Sequence, residues 1–267
     1  MKFLKHSECD DCDRKKHHYM MRLGSNSYKY DYTVALAGNP NTGKSTVFNQ
    51  LTGLHQHTGN WPGKTVTRAE GGFIYLKKYF KLIDLPGTYS LLSNTTDEEI
   101  ARNYILFAQP DVTVIVVDAT RLERNLNLVL QIMEITDSAV VCLNLLDEAN
   151  RYGLIINHEQ LEEDLGIPVV STTARSGKGI SSLLKAIHDV ASGLCSSTPH
   201  RIQFDSEEVK SAVEQMVAEL SATYPELPNL RWIALRLLED DVSVVNAIKN
   251  NKLSQLILDQ IRDDESV

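Results

Sequence analysis

Short apolar runs alternate with amphipathic stretches from Thr33 onward, and their periods predict a regular order of strands and helices. Thr33-Val-Ala-Leu-Ala37 is a short apolar run leading into a glycine-bearing loop, and it predicts a strand. Thr46 to Leu54 carries helical spacing. Val66 to Tyr75 and Tyr79 to Ile83 predict a strand pair. Val112 to Val117 is a continuous β-branched run, as expected of a central strand covered on both faces. Asn125 to Ile135 is amphipathic and helical, and Ala139 to Leu143 is a second buried strand. Glu159 to Leu165 predicts a short helix closed by Gly166, followed by a strand over Pro168 to Ser171. Ile180 to Ala191 predicts a helix that Gly193 ends. Strands alternating with helices imply a mostly parallel α/β sheet with helices on both faces, whose ligands bind at the carboxyl ends of the strands.

Two flanking regions break this rhythm. Residues 1–31 are polar and aperiodic and predict a flexible tail. After Leu194, Cys195-Ser-Ser-Thr-Pro-His200 predicts a linker. The stretch from Asp205 to Arg262 predicts several helices and no strand, with Val209, Val213, Met216, Val217 and Leu220 on one stripe. Trp232, Leu235, Leu237 and Leu238 form a second apolar cluster. The expected organisation is a tail over 1–31, an α/β domain over 32–195 and a helical domain over 201–267. No internal repeat is visible.

Composition narrows the classes. The 267 residues are 42% hydrophobic and 23% charged, ordinary for a globular protein. The net charge of -8 argues against non-specific nucleic-acid binding, which needs excess Lys and Arg. No stretch approaches about 18 consecutive apolar residues, so none is expected to span a membrane. Lys2 and Lys5 precede no apolar run, so no secretory signal is expected. The four cysteines, Cys9, Cys12, Cys142 and Cys195, do not form a disulfide framework, and a reducing compartment fits them better. Cys142 falls in a predicted buried strand and is expected to be a small core residue.

The candidate chemistry sits at predicted strand ends. Gly38-Asn39-Pro40-Asn41-Thr42-Gly43-Lys44-Ser45 fits the phosphate-loop pattern G-x-x-x-x-G-K-[ST], with a strand before it and a helix after it. Its glycines let backbone N–H groups curl toward phosphate oxygens, and the helix start adds partial positive charge there. Lys44 supplies a full charge to the phosphates. Ser45, followed by Thr46, supplies a hydroxyl for Mg²⁺. Lys81-Leu-Ile-Asp84-Leu-Pro-Gly87 ends a strand with an aspartate placed to hold Mg²⁺, and Gly87 can bring a backbone N–H to a γ-phosphate. Between them, Gly59-Asn-Trp61-Pro-Gly63-Lys-Thr65 is expected to be a loop. Thr65 is the candidate second hydroxyl ligand to Mg²⁺, with Thr58 and Thr67 as competitors. A loop with such contacts would act as a switch.

Asn144-Leu-Leu-Asp147 has the spacing of the Asn-Lys-x-Asp element of GTPases. The Asp147 carboxylate can accept from guanine N1–H and its 2-amino group, whereas adenine would leave it unpaired. Leu145 stands where lysine is usual and is expected to cover a ring face. Ser171-Thr-Thr173-Ala174-Arg175 resembles the last GTPase element, with Ala174 as the candidate N–H donor to guanine O6.

Taken together these five elements resemble a Ras-like P-loop GTPase of the translation-factor-like class. The runs around Asn41, Trp61, Asp84 and Asp147 resemble the cytosolic N-terminal domain of the FeoB ferrous-iron transporter family over roughly residues 33 to 194. The helical stretch resembles that family's dissociation-inhibitor-like spacer. The resemblance implies slow GTP hydrolysis with GTP/GDP, Mg²⁺ and K⁺ as cofactors, at the cytoplasmic face of the bacterial inner membrane. The glutamine that positions water in Ras-like enzymes is absent here, where Thr88, Tyr89 and Ser90 follow Gly87. The resemblance implies that Asn41, with the carbonyls of Gly59 and Trp61, holds K⁺ against the phosphates; bracing of the loop is the alternative role for Asn41. Thr65 and the Gly87 backbone are then the candidates for placing water. It also implies a membrane-spanning partner region beyond Val267, with this chain either truncated or a separated soluble part; homo-oligomer formation stays open. In the tail, Cys9, Cys12, His17 and His18 suggest either a metal site or plain disorder. The rival class is an Era-like GTPase assisting ribosome or RNA maturation, against which the acidic runs Asp240-Asp241 and Asp263-Asp264-Glu265 argue.

Overall fold

The computed structural model describes residues 29–53, 56–61, 64–92, 95–195, 197–201, 204–225, 227–241 and 244–245. The expectations for Cys9, Cys12, His17 and His18 and for Gly63 fall outside them. Among the described residues, seven strands make one sheet in the order β2-β3-β4-β1-β5-β6-β7. They are β1 (Tyr32–Gly38), β2 (Gln56–Asn60), β3 (Thr67–Tyr75), β4 (Lys78–Asp84), β5 (Val112–Asp118), β6 (Ala139–Asn144) and β7 (Val169–Ser171). β1 pairs in parallel with β4 and β5, and β5-β6 and β6-β7 are parallel; β2-β3 and β3-β4 are antiparallel. The helices are α1 (Lys44–Thr52), α2 (Thr96–Asn103), α3 (Leu122–Ile135), α4 (Leu146–Arg151), α5 (His158–Leu165), α6 (Ile180–Ala191), α7 (Glu207–Thr223) and α8 (Leu230–Leu238).

The period-2 alternation of the strands sorts the core onto two faces. Val34, Leu36, Val112, Val114 and Val116 pack with Val47, Phe48 and Leu51 of α1 and with Ile180, Leu183 and Ile187 of α6. Ala35, Ala37, Ile115 and Val117 point the other way, into a cluster with Tyr104, Leu106, Leu128 and Ile132. Cys142 is fully buried, as its strand predicts, and burial pushes its thiol up to about 12.

The helical segment is not a bundle closed on itself. Val213, Leu220, Trp232, Ile233 and Ala234 belong to the same apolar cluster as the second sheet face. Arg102 of α2, buried at 5% exposure, lies 5.9 Å from the Trp232 ring. Burial lowers the pKa of that guanidinium. α7 and α8 therefore complete the core of the α/β unit.

Four elements differ from the sequence expectation. The segment expected to be a loop is in part a strand: β2 pairs Gly59 with Arg68 and Asn60 with Thr67. Its residues 57–60 are polar and exposed, so no apolar period marks it; pairing with β3 alone makes it a strand. α2 carries a capping box, with Thr95 Oγ1 accepting from Glu98 N–H and Glu98 from Thr95 N–H. The Thr-x-x-Glu spacing was the available signal for it. Past α2, Tyr104–Ala108 widens into a π-helical turn. α4 begins inside the Asn144–Asp147 motif and hides behind it.

Trp232 is 6% exposed inside the shared cluster. Trp232→Ala should lower stability by about 3–5 kcal/mol. Urea unfolding followed over the whole chain should remain a single transition, because the helices and the sheet share that cluster.

Candidate functional site

The site forms where β1 ends, at the point where the chain's connections diverge to the two sides of the sheet. Gly38 leaves β1 and the loop curls over Asn39–Thr42 into the start of α1. Gly43 takes φ 82 as the residue before α1. A Cβ there would meet Asn144 Nδ2 at 2.4 Å, so glycine is required both for its conformation and for the approach of Asn144. Asn41 also adopts a left-handed conformation, φ 67, and is exposed. Thr42 Oγ1 donates to Asn39 O at 2.9 Å and braces the turn. Asn39 is only 3% exposed, and its Nδ2 has no partner within the protein. An amide donor this deeply buried in a phosphate-binding loop fits an anionic oxygen.

Lys44 lies on the first turn of α1. Its ammonium is paired with Asp84 and also donates to Leu85 O at 2.7 Å. Burial raises Asp84 above the ordinary carboxylate pKa, and the adjacent Lys44 charge opposes that shift. The two groups expected to meet phosphate and Mg²⁺ thus neutralise one another across the site. Ser45 and Thr46 occupy the same turn and are exposed. The Asp84–Gly87 segment runs along the loop: Leu85 N–H donates to Leu36 O, and Thr88 N–H donates to Gly38 O. The Gly87 Cα sits against Pro40, where an added Cβ would lie 3.5 Å from the proline ring.

Asn144 ties three loops together. It is 1% exposed at the end of β6. Its Nδ2 donates to Thr42 O at 3.0 Å, and its Oδ1 accepts from Ala174 N–H at 2.9 Å and from Thr172 Oγ1 at 3.2 Å. The Ala174 N–H, expected to meet a base oxygen, donates here to Asn144, the fixed acceptor beside it. Asp147 follows on α4, half-exposed and ion-paired with Arg151 at 3.1 Å. With Leu146, Asn150, Thr173, Arg175, Ser176 and Lys178 it lines a cavity of about 440 Å³. Leu145, expected to cover a base, takes φ 61 and lines a separate, larger cavity on the flank of the phosphate loop; Leu146 stands beside Asp147.

The remaining expected ligands are not gathered at the loop. Gly59 lies in β2, and β3 separates it from β4. At about 4.8 Å per strand it is roughly 10 Å from the end of β4, too far for its carbonyl to reach an ion at Asn41. Trp61 is 2% exposed, edge-on to Tyr104 at 5.4 Å and under Arg68 at 4.9 Å. Its carbonyl accepts from Lys64 N–H at 3.0 Å. Ladder pairing and aromatic burial hold this segment back in the arrangement seen here. Thr65 is exposed in the bend between β2 and β3, while Thr58 and Thr67 are paired in the ladder. The Leu85 carbonyl and the Thr172 hydroxyl are contacts the sequence did not reveal, since neither is a fixed position of the Asp84–Gly87 or Ser171–Arg175 element. Among the described residues, no group of three or more His, Cys, Asp or Glu could hold a metal, and no helix is long and apolar enough to cross a membrane.

Two outcomes follow from this geometry. Asn144→Ala strands Thr42 O and the Ala174 N–H together, and should cost about 1–3 kcal/mol by chemical denaturation. For Asp84, a raised native pKa means that the folded chain binds more protons than the unfolded one. Its contribution to stability is complete below the ordinary carboxylate value and is lost as pH rises through the raised one. Asp84→Asn should therefore remove a downward slope in the pH–stability profile just above pH 3.8, measured as the difference from wild type.

Relatives place this geometry in a family. Residues 32–187 match the model for ferrous iron transport protein B, and residues 206–265 match the model for the FeoB cytosolic helical domain. The Fe(2+) transporter FeoB of Escherichia coli K12 is 41% identical over 214 residues, covering 79% of this chain and 27% of that protein. The Salmonella typhimurium protein of the same name is 42% identical over the same shares. The chain thus spans about a quarter of the length of these relatives. Among solved structures, the apo cytosolic domain of T. maritima FeoB has a TM-score of 0.73 at 38% identity, covering 83% of this chain and 86% of that one. The cytosolic domain of L. pneumophila FeoB has 0.74 at 32%, covering 85% and 88%. With the fold, the phosphate loop and the helical segment all matched in order, the chain belongs to the FeoB family.

Proposed function

We propose that this chain binds and hydrolyses GTP as the Mg²⁺-dependent, K⁺-stimulated regulatory domain of a ferrous-iron transporter. The observation that carries the reading is the Asn144 junction. It fixes the Asp147 cavity, lined by Thr173 and Arg175, to the phosphate loop through Thr42. A nucleotide base beside Asp147 and its phosphates along Gly43–Ser45 would then be held in one register. Solved relatives point the same way: the T. maritima FeoB cytosolic domain has a GDP form, and a mutant of S. thermophilus NFeoB is bound to GDP.

The chain's own groups supply most of the chemistry. Lys44, now paired with Asp84, would carry the charge of the phosphates, and the Asp84 carboxylate and the Ser45 hydroxyl would hold Mg²⁺. Asn39 Nδ2, buried and unpartnered, is a donor for a phosphate oxygen. Mg²⁺, when bound, offsets charge on the phosphates. Thr65 is the hydroxyl free of the β2-β3 ladder and so the one able to swing to the metal. The Gly87 N–H and Thr65 place water. K⁺ would be held by Asn41 with the Gly59 and Trp61 carbonyls once β2 peels from β3, and that rearrangement is the switch. An Era-like role in ribosome or RNA maturation is not favoured, because the match continues into the FeoB helical domain.

Steady-state hydrolysis of GTP and ATP, in KCl and in matched NaCl, tests the reading. GTP turnover alone, faster in K⁺, is expected. Equal rates in the two salts would remove the Asn41 potassium role. ATP turnover equal to that of GTP would sink the base recognition by Asp147. Asp147→Ala should weaken GTP binding about 100-fold, the loss of two hydrogen bonds to a charged group.

A further inference from the structure

The segment after Gly87 is not loose. The Gln131 side chain of α3 reaches it: Oε1 accepts from Leu91 N–H at 2.7 Å and from Ser90 Oγ at 3.1 Å. Seven residues back on the same helix face, Arg124 lies 4.4 Å from the Tyr89 ring. Tyr89 and Arg124 also line the cavity on the flank of the phosphate loop. α3 therefore grips three consecutive residues, Tyr89, Ser90 and Leu91, that directly follow the Asp84–Thr88 segment beside the loop.

The C-terminal end of the same helix is held by the helical region. Asn229 Nδ2 donates to Glu134 O at 2.7 Å and Ile135 O at 2.8 Å, while its Oδ1 accepts from Trp232 N–H at 3.1 Å. One side chain thus caps the end of α3 and the start of α8. Arg231 pairs with Glu134, and Arg201 donates to Met133 O at 3.0 Å and pairs with Asp137 at 2.6 Å. Gln131 and Ile135 are four residues apart, about 6 Å of helix rise. A packed helix moves as a body over that length rather than deforming.

We propose that Gln131 is a positioning residue that fastens Ser90 and Leu91 to α3 and so steadies the segment that carries Gly87. This rests on the GTPase reading above only for its consequence in turnover; the anchor itself does not. The two donors demand an acceptor at this position, which a carboxylate also supplies and a thioether does not.

The test uses the full chain with Gln131→Met and Gln131→Glu, each followed by amide hydrogen exchange at Leu91, by GTP kcat and KM, and by Tm. In Gln131→Met, Leu91 exchange should rise about tenfold, the loss of one such hydrogen bond, and kcat should fall severalfold with KM within about twofold. Gln131→Glu should keep both near wild type. Unchanged Leu91 exchange in Gln131→Met, or a Gln131→Glu variant as impaired as Gln131→Met, would overturn the anchor. If wild type shows no GTP turnover, the proposed function fails, while Leu91 exchange still decides the role of Gln131.

Discussion

A single buried carboxamide, that of Asn144, is the constraint on which the site depends. At 1% exposure it has no water to fall back on, so its donor and its acceptor must each find protein. They find Thr42 O on one side and Ala174 N–H with Thr172 Oγ1 on the other. Those atoms belong to the loops after β1 and β7, which Asn144, at the end of β6, thereby joins. The closeness of the approach is also what forces glycine at position 43, since any Cβ there would collide with the amide. Side-chain satisfaction and backbone conformation are here the same requirement.

Charge is arranged around that junction with equal economy. Lys44 and Asp84 face each other in a partly buried space where neither would sit comfortably alone. Their pairing holds the phosphate loop against the end of β4 and keeps both groups ready for opposite charges. Reorganisation on binding an anion is then a change of partners rather than the creation of new charged groups in a low dielectric.

The helical region enters this economy through packing. It adds Val213, Leu220 and Trp232 to the sheet's second face and caps α3 with Asn229. The elements following Gly87 therefore lie between the phosphate loop and the helices. β2, by contrast, is held by one neighbour only, apart from the buried anchor of Trp61. An edge strand with a polar, exposed sequence is the part of such a sheet that opens at least cost.

By itself the sequence determined the parts whose physics is local. β-branched runs at Val112–Val117 and Ala139–Leu143 had to be buried strands, and the helix Ile180–Ala191 was legible from spacing and its closing glycine. The Gly38–Ser45 spacing, with Asp84 and Asp147 behind it, marked the candidate site because each motif carries its own backbone requirement. What the sequence could not decide were features set by partners distant along the chain. β2 is a strand only because β3 lies beside it. The Ala174 N–H turned to Asn144, thirty residues away, because burial left it that acceptor. Leu145 and Leu146 are alike as letters, and a left-handed φ sent them to different cavities. Likewise the pattern set the last helices apart as a domain of their own, and packing joined Val213, Leu220 and Trp232 to the sheet's core. Apolar stripes state that a face must be covered, and only the tertiary structure decides by what, because the hydrophobic effect has no direction of its own.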